Sequence, residues 1–174
     1  MAGGQKAGRL VLETVIHTIL FPGAVTVALP WWILVSGARH LSPWSLARSI
    51  GILPIALGAA ILAWCSWDFI VSGRGTPNPL DPPRMLVSRG AYRYVRNPMY
   101  AGIALILLGE AILFGAPMLL AYAAIVTTAF HLFVVLYEEP FLRARFGASY
   151  EEFCRRVPRW IPRTQLTRGS RTVS

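Results

Sequence analysis

GAYRYVRNPMYAG, residues 90–102, stands directly before a long apolar run and carries three tyrosines, two arginines, an asparagine and a proline. Asn97-Pro98 reads as a helix start. Asparagine is a favoured N-cap, and proline suits the first helical position because its missing N–H would have had no partner there. A helix is thus predicted from Pro98 to Phe114, and a second from Met118 to Tyr137. Only Gly115, Ala116 and Pro117 separate them, so the two form a tight antiparallel hairpin. The first, at 17 residues, leaves the hairpin on the short side for two bilayer crossings of about 20 residues each, a mismatch that a thinner local bilayer accommodates.

Working toward the N-terminus, the segment SGRGTPNPLDPPRMLVSRG (72–90) holds four prolines and three glycines in 19 residues and is a loop, with Met85, Leu86 and Val87 as a small apolar cluster. Before it lie two further apolar runs, Ile50 to Val71 and Leu10 to Val35. The latter is expected to kink at Pro22-Gly23 and Pro30. The expected fold is an all-α integral membrane protein of about four transmembrane helices, with the C-terminal hairpin and a cytoplasmic amphipathic tail helix. Residues 1–72 form the N-terminal spans and 73–174 the functional core, within one structural domain. In the tail, Ser149 and Glu152 have capping-box spacing, and Tyr150, Phe153, Cys154 and Val157 share one face. Trp160 suits the headgroup level.

Composition agrees: 55% of the 174 residues are hydrophobic and 14% are charged, where soluble domains carry about 25%. The net charge of +9 comes almost wholly from arginines that flank the apolar runs. That placement assigns the charge to lipid headgroups and topology rather than nucleic acid. The loop holds Arg74, Arg84, Arg89, Arg93 and Arg96 against Asp81, and the tail from 138 holds eight arginines against four glutamates. The hairpin turn is uncharged, so both basic segments and both termini are placed on the cytoplasmic side. Cys65 and Cys154 sit in unlike settings and imply no disulfide, no metal-ligating cluster is present, and no cleavable signal or obligate protein partner is expected.

Two features carry chemistry. The start of the 98–114 helix offers N–H groups and a dipole that favour an anion, beside Tyr92, Tyr94 and Tyr100. Tyrosine and arginine are also common interfacial anchors, and composition alone leaves both readings open. The second feature is Glu138-Glu139, two carboxylates where the fourth span ends and the dipole disfavours them. Either local arginines, with Arg143 and Arg145 close by, or a cationic ligand compensates. The hairpin brings the two features side by side. S-adenosylmethionine, with its carboxylate, ammonium and sulfonium, matches them group for group.

GAYRYVRNPMYAG, followed about forty residues later by EEPFLRARFGASYEEFCRRVPRWIP, resembles the isoprenylcysteine carboxyl methyltransferase and phospholipid methyltransferase superfamily of membrane enzymes, over roughly Gly73 to Arg163. The resemblance implies an S-adenosylmethionine site on the cytoplasmic face and a lipophilic acceptor that arrives between helices. By motif, it implies cofactor binding by Arg84, Met85, Leu86, Val87, Tyr92, Arg96, Asn97, Pro98, Met99, Tyr100, Glu138 and Glu139. Asn97 replaces the family's usual histidine and cannot titrate near neutrality. Val134 stands where the prenylcysteine enzymes carry a substrate arginine, which disfavours a carboxylate acceptor. His131, seven residues before Glu138 and on nearly the same face, either bonds a neighbouring helix or lines the acceptor path with Val134. No catalytic acid or base is assigned, because methyl transfer from a sulfonium asks chiefly for alignment and exclusion of water. The acceptor stays open among a prenylated or small thiol, a lipid acid and a phospholipid amine. A sterol-reductase-like enzyme and a non-enzymatic membrane scaffold are the competing classes. Asp68 is expected to pair with a loop arginine such as Arg74. Glu110 and His17 stand inside spans, where an ionisable group is costly.

Overall fold

The computed structural model describes residues 20, 22–37, 45–72 (side chains to Asp68) and 90–162. Every regular element among them is helical. Helix α1 comprises a π turn, Ala24–Ala28, and an α-helical part, Leu29–Ser36. Helix α2 opens with a 3-10 segment, Leu46–Gly51, and continues as Ile52–Ser72. A short 3-10 turn, Gly90–Arg93, leads into α3, Pro98–Phe114. Helix α4 runs Pro117–Phe133, through a π turn at Val134–Glu138, to Glu139–Phe146. The tail helix α5 is Ala148–Arg156. The loop residues Arg84, Met85, Leu86 and Val87, His17 and the early part of the first apolar run lie outside the described residues.

Helices Leu46–Asp68 and Pro117–Phe146 are long and apolar enough to cross a membrane; Ala24–Ser36 and Pro98–Phe114 are apolar but shorter. The hairpin forms where the sequence places it. Gly115 adopts φ +57, a left-handed turn that a side chain would strain, and Pro117 opens the next helix. Arg48, at the start of α2, donates to the Phe114 carbonyl (3.4 Å), so one cation does lie at the hairpin turn.

The fourth helix departs from expectation. It does not stop at Tyr137 but continues to Phe146, so Glu138 and Glu139 are not at a helix C-terminus. Pro140, which lacks an N–H and would press on the carbonyl four residues back, suggests a break. The π turn removes the conflict: the Glu139 N–H bonds to the Val134 carbonyl, five residues back, and the helix proceeds. At 30 residues, Pro117–Phe146 is about 45 Å long, against about 30 Å of hydrocarbon. The helix thus outruns a bilayer by about ten residues, and its charged residues, Glu138, Glu139, Arg143 and Arg145, all fall in its last third. Pro30 is handled in the same way after the π turn in α1, and Thr26 Oγ1 donates to the Pro22 carbonyl at 2.7 Å.

Helix α2 lies antiparallel on α3 at backbone contact. A Cβ on Gly51 would meet the Gly109 carbonyl at 2.5 Å, and one on Gly109 the Gly51 carbonyl at 2.6 Å. Gly58 and Gly102 stand in the same relation one contact further along. Small residues are how apolar helices approach in lipid, where packing rather than water drives association. On the other side of α3, Ile103 and Leu107 pack with Ala123 of α4, and Val25 of α1 joins them. Ile33 and Leu34 of α1 close the turn end against Ala111, Ala116 and Leu119. The packing leaves the start of α3, the end of α2 and the charged part of α4 together at one end.

Candidate functional site

Asn97 precedes α3 with Pro98 at its first position, as the dipeptide predicts, but its side chain does not cap the helix. The buried amide instead donates to the Arg159 carbonyl (3.4 Å). Beside it, the Arg96 N–H donates to the Pro158 carbonyl (2.9 Å). Residues 158–160 are thereby strapped across the start of α3. The tail helix holds this strap in place through its buried face, with Tyr150 and Val157 nearly inaccessible. The Ser149–Glu152 capping box does not form. Gly147 occupies the N-cap, and Glu152 pairs with Arg155 and Arg156, near-neighbours on its own helix.

The two adjacent glutamates keep different company. Glu139 is 4% exposed and saturated with cations. Arg159 grips it with two bonds, Nε to Oε1 at 2.6 Å and Nη2 to Oε2 at 2.9 Å. Arg96 Nη1 adds a third at 3.0 Å, and Arg143 stands at 3.9 Å. Burial pushes the Glu139 carboxyl up, but the Arg159 bond and the charges of Arg96, Arg159 and Arg143 outweigh it and hold it below its ordinary 4.5. Compensation thus comes mainly from Arg159 and Arg96, which are remote in sequence. Arg143 contributes a long contact, and Arg145 lies over the Phe146 ring instead.

Among the described residues, Glu138 Oε2 accepts a hydrogen bond from the Tyr100 hydroxyl at 3.2 Å and meets no cation. Burial raises its carboxyl above 4.5; the Tyr100 bond opposes this and the charge of Glu139 adds to it. A half-buried carboxylate that meets no cation among the described residues can take a positive or hydroxyl-bearing group from outside. Tyr92 lies within electrostatic reach of Glu138, Tyr100, Cys65 and Asp68. Asp68 of α2 presses its carboxylate on Gly90, where a Cβ would collide with it, and Oδ2 is buried without a hydrogen bond among the described residues. Arg96 Nη1 also lies 2.9 Å from Cys154 Sγ, and its Nε is buried without a partner among the described residues. The expected Asp68–Arg74 pair lies outside the described residues.

An apolar groove of about 310 Å³ leaves this corner between α3 and α4. Tyr100, Ala104, Thr127, Phe130, His131 and Trp160 line it. Tyr100 belongs to both places: its hydroxyl faces Glu138 while its ring packs on Phe130, centroids 4.8 Å apart. His131 lines this groove, whereas the Val134 side chain is fully buried in the π turn. Pro98 is buried and Met99 half-buried at the helix start. Asp68, Arg159 and Trp160 were not singled out as site residues by sequence reading; only the basic, aromatic character of RRVPRWIP hinted at the last two.

With the geometry in place, the chain compares with known proteins as follows. Residues 46–149 match the phospholipid methyltransferase family. Protein-S-isoprenylcysteine O-methyltransferase B of Arabidopsis thaliana is 27% identical over 152 residues, which cover 87% of this chain and 69% of the relative. Protein-S-isoprenylcysteine O-methyltransferase of Schizosaccharomyces pombe is 33% identical over 104 residues, 60% of this chain and 42% of the relative. Methanethiol S-methyltransferase 2 of Bradyrhizobium diazoefficiens is 36% identical over 72 residues, 41% of this chain and 27% of the relative.

Proposed function

The chain belongs to the phospholipid methyltransferase family, and on that premise we propose that it transfers a methyl group from S-adenosylmethionine to a lipophilic or small acceptor at a membrane surface. The observation that carries the proposal is the asymmetry of the glutamate pair. Glu139 is consumed by structure, whereas Glu138, one residue away, is held open opposite Tyr100. Glu138 and Tyr100 bind the donor's cationic or hydroxyl-bearing part. Arg96, Asn97, Pro98 and Met99 form the floor at the start of α3, and Tyr92 closes one side. Arg84, Met85, Leu86 and Val87, outside the described residues, join the proposed donor contacts by motif alone. Glu139 acts as a positioning residue that holds the strap and Arg96.

The donor, when bound, supplies an electrophilic methyl on a sulfonium whose charge is lost as the methyl leaves. The protein aligns and dries the reacting pair. Tyr100 fixes the boundary between donor and groove, and the groove walls exclude water from the acceptor's approach. His131 does not serve as base, because its Nδ1 accepts a hydrogen bond from Trp160 Nε1 at 3.2 Å. An amine acceptor brings its own lone pair, and a thiol reacts as thiolate. The described residues that line the groove include no lysine or arginine. That favours a thiol or amine over a carboxylate acceptor, in line with the methanethiol S-methyltransferase similarity. Four spans, with the donor site and both termini toward the cytoplasm, complete the reading.

Calorimetric titration of the purified protein in lipid nanodiscs with S-adenosylmethionine tests it. Micromolar-scale binding that Glu138→Gln removes supports the reading; a folded wild-type protein that does not bind the donor overturns it.

A further inference from the structure

Trp160 lines the groove between α3 and α4 from a segment that belongs to neither helix. Its bonds set its level. The carbonyls of the two preceding residues, Pro158 and Arg159, accept from Arg96 and Asn97, directly before α3 begins. The indole N–H donates to His131 Nδ1 (3.2 Å), with the two rings 6.0 Å apart. His131 follows Phe130, whose ring packs on Tyr100. Trp160, His131 and Tyr100 thus stand together at one end of the groove. That end adjoins Glu138, which Tyr100 also meets, and the charged part of α4. From there the groove runs toward the hairpin turn, reaching Ala104 and Thr127 about 6 Å deeper, one helical turn along each of the antiparallel helices. Thr127 and Thr128 are exposed on the apolar stretch of α4, so this part of the groove opens sideways toward lipid.

We propose that Trp160 is a positioning residue that seals the charged end of the groove against water, so that a methyl acceptor reaches the donor from the lipid side while water-soluble nucleophiles are kept out. The proposal rests on the methyltransferase reading, since Tyr100 joins the groove to the donor site. A seal at this point must be broad, apolar and held in place. The indole is the largest apolar plane a side chain offers, and its one polar atom is already bonded to His131. An indole N–H only donates, so His131 Nδ1 is unprotonated in this clasp and the ring proton sits on Nε2. The backbone beneath is held by Arg96 and Asn97, and the neighbouring Arg159 side chain by Glu139. A charged nucleophile that came past Trp160 would shed its water among Tyr100, Phe130 and the indole, with no lysine or arginine among the described lining residues to replace it. The transfer itself gains from a dry end, because the sulfonium loses its charge as the methyl leaves.

Two measurements on the full chain in nanodiscs test this. The first needs neither donor nor turnover. Ala104→Cys places a thiol in the groove, and its reaction with 2-sulfonatoethyl methanethiosulfonate, which stays in water, is compared with that of the neutral ethyl reagent. Peptide mass spectrometry reads position 104 separately from Cys65 and Cys154. Adding Trp160→Ala is expected to speed labelling by the sulfonate about ten-fold and to leave the ethyl reagent within about two-fold, since an apolar seal stops only the anion. The second is methyl transfer to butanethiol and to 2-mercaptoethanesulfonate. Trp160→Ala is expected to raise the kcat/KM of the sulfonate relative to butanethiol about ten-fold, while Trp160→Phe, which keeps an apolar plane, stays near the wild-type ratio. A tryptophan that only supports the fold would lower transfer to both thiols alike. An unchanged ratio in a Trp160→Ala protein that still binds the donor therefore overturns the proposal. So does sulfonate labelling at position 104 that is equally fast with and without Trp160. Should Trp160→Ala fail to fold, His131→Ala, which frees the indole, carries both measurements with the same expected direction. Where neither thiol is methylated, the labelling decides alone. Failure of the wild type to bind the donor defeats the methyltransferase reading, while the labelling still decides the seal.

Discussion

Helices α1 and α4 solve the same backbone problem in the same way and put the solution to different use. Each has a five-residue π turn, then one residue, then proline: Ala24–Ala28, Leu29, Pro30 in α1, and Val134–Glu138, Glu139, Pro140 in α4. In both, the N–H just before the proline reaches back five residues, to Ala24 in one and Val134 in the other. In α1 the turn is apolar except for Thr26, which is satisfied within its own helix. In α4 the turn ends on Glu138 and hands over to Glu139. The wide turn is a way to carry proline through a long helix and is not by itself a mark of function. What distinguishes the second copy is that two carboxylates leave it in different directions, one to Arg159 and Arg96, the other to Tyr100.

That contrast can be broken at several points. The largest effect is expected from Glu139→Gln, which strips the shared carboxylate from Arg96 and Arg159. Removing one partner of a buried ion pair costs about 3–5 kcal/mol, and partial exposure of Arg159 puts the expected loss at the lower end, about 3 kcal/mol. Denaturant or thermal unfolding in detergent reads it, and a second change, Arg159→Met, should recover part of the loss. Glu138→Gln should leave unfolding nearly unchanged yet weaken donor binding by about 1.5–3 kcal/mol, the worth of a hydrogen bond to a charged group. Calorimetry separates the two: a Glu138→Gln protein that loses stability and keeps affinity would reverse the roles assigned to the pair.

The pH responses of the two carboxylates should also diverge. Glu139, whose folded carboxyl lies below 4.5, contributes stability that is complete above 4.5 and is lost as pH falls below that value toward the folded one. Glu138 lies above 4.5, and a bound cation would favour its charged form. Donor affinity should therefore rise with pH through the raised value and level off above it, with proton release detectable in buffers of different ionisation heat. The smallest effect belongs to the prolines. Pro140→Ala and Pro30→Ala relieve the pressure that the π turns absorb, and each should change stability by about 1 kcal/mol or less. Only Pro140→Ala should alter donor affinity, because only there does a change of helical register turn a ligand group away from Tyr100.

Local chemistry made much of this legible in the sequence. Asn97-Pro98 and Gly115-Ala116-Pro117 mark the ends of α3 and the hairpin turn within a few residues, because start and stop signals act on their immediate neighbours. The convergence of Tyr100 with Glu138 followed from the hairpin alone. The passage of α4 beyond Tyr137 was not legible, since a proline that normally ends a helix is carried here by a turn whose sequence, VVLYE, has no distinctive signature. Arg159 as the partner of Glu139, and Trp160 as a groove wall, depend on how the tail folds back over residues 96–97. No spacing rule reports that. The glycines at 51, 58, 102 and 109 carried no message singly; their pairing is visible only once α2 and α3 are laid side by side.

That seam of glycines also dictates which parts of the protein can yield. Two helices in backbone contact at two points, with carbonyls seated where side chains would be, cannot slide or part without losing both contacts at once. Helices α2 and α3 therefore serve as the stator of the enzyme. Any motion that admits and releases ligands is therefore expected on the opposite bank: the charged end of α4, α5 and the strap that Glu139 ties down.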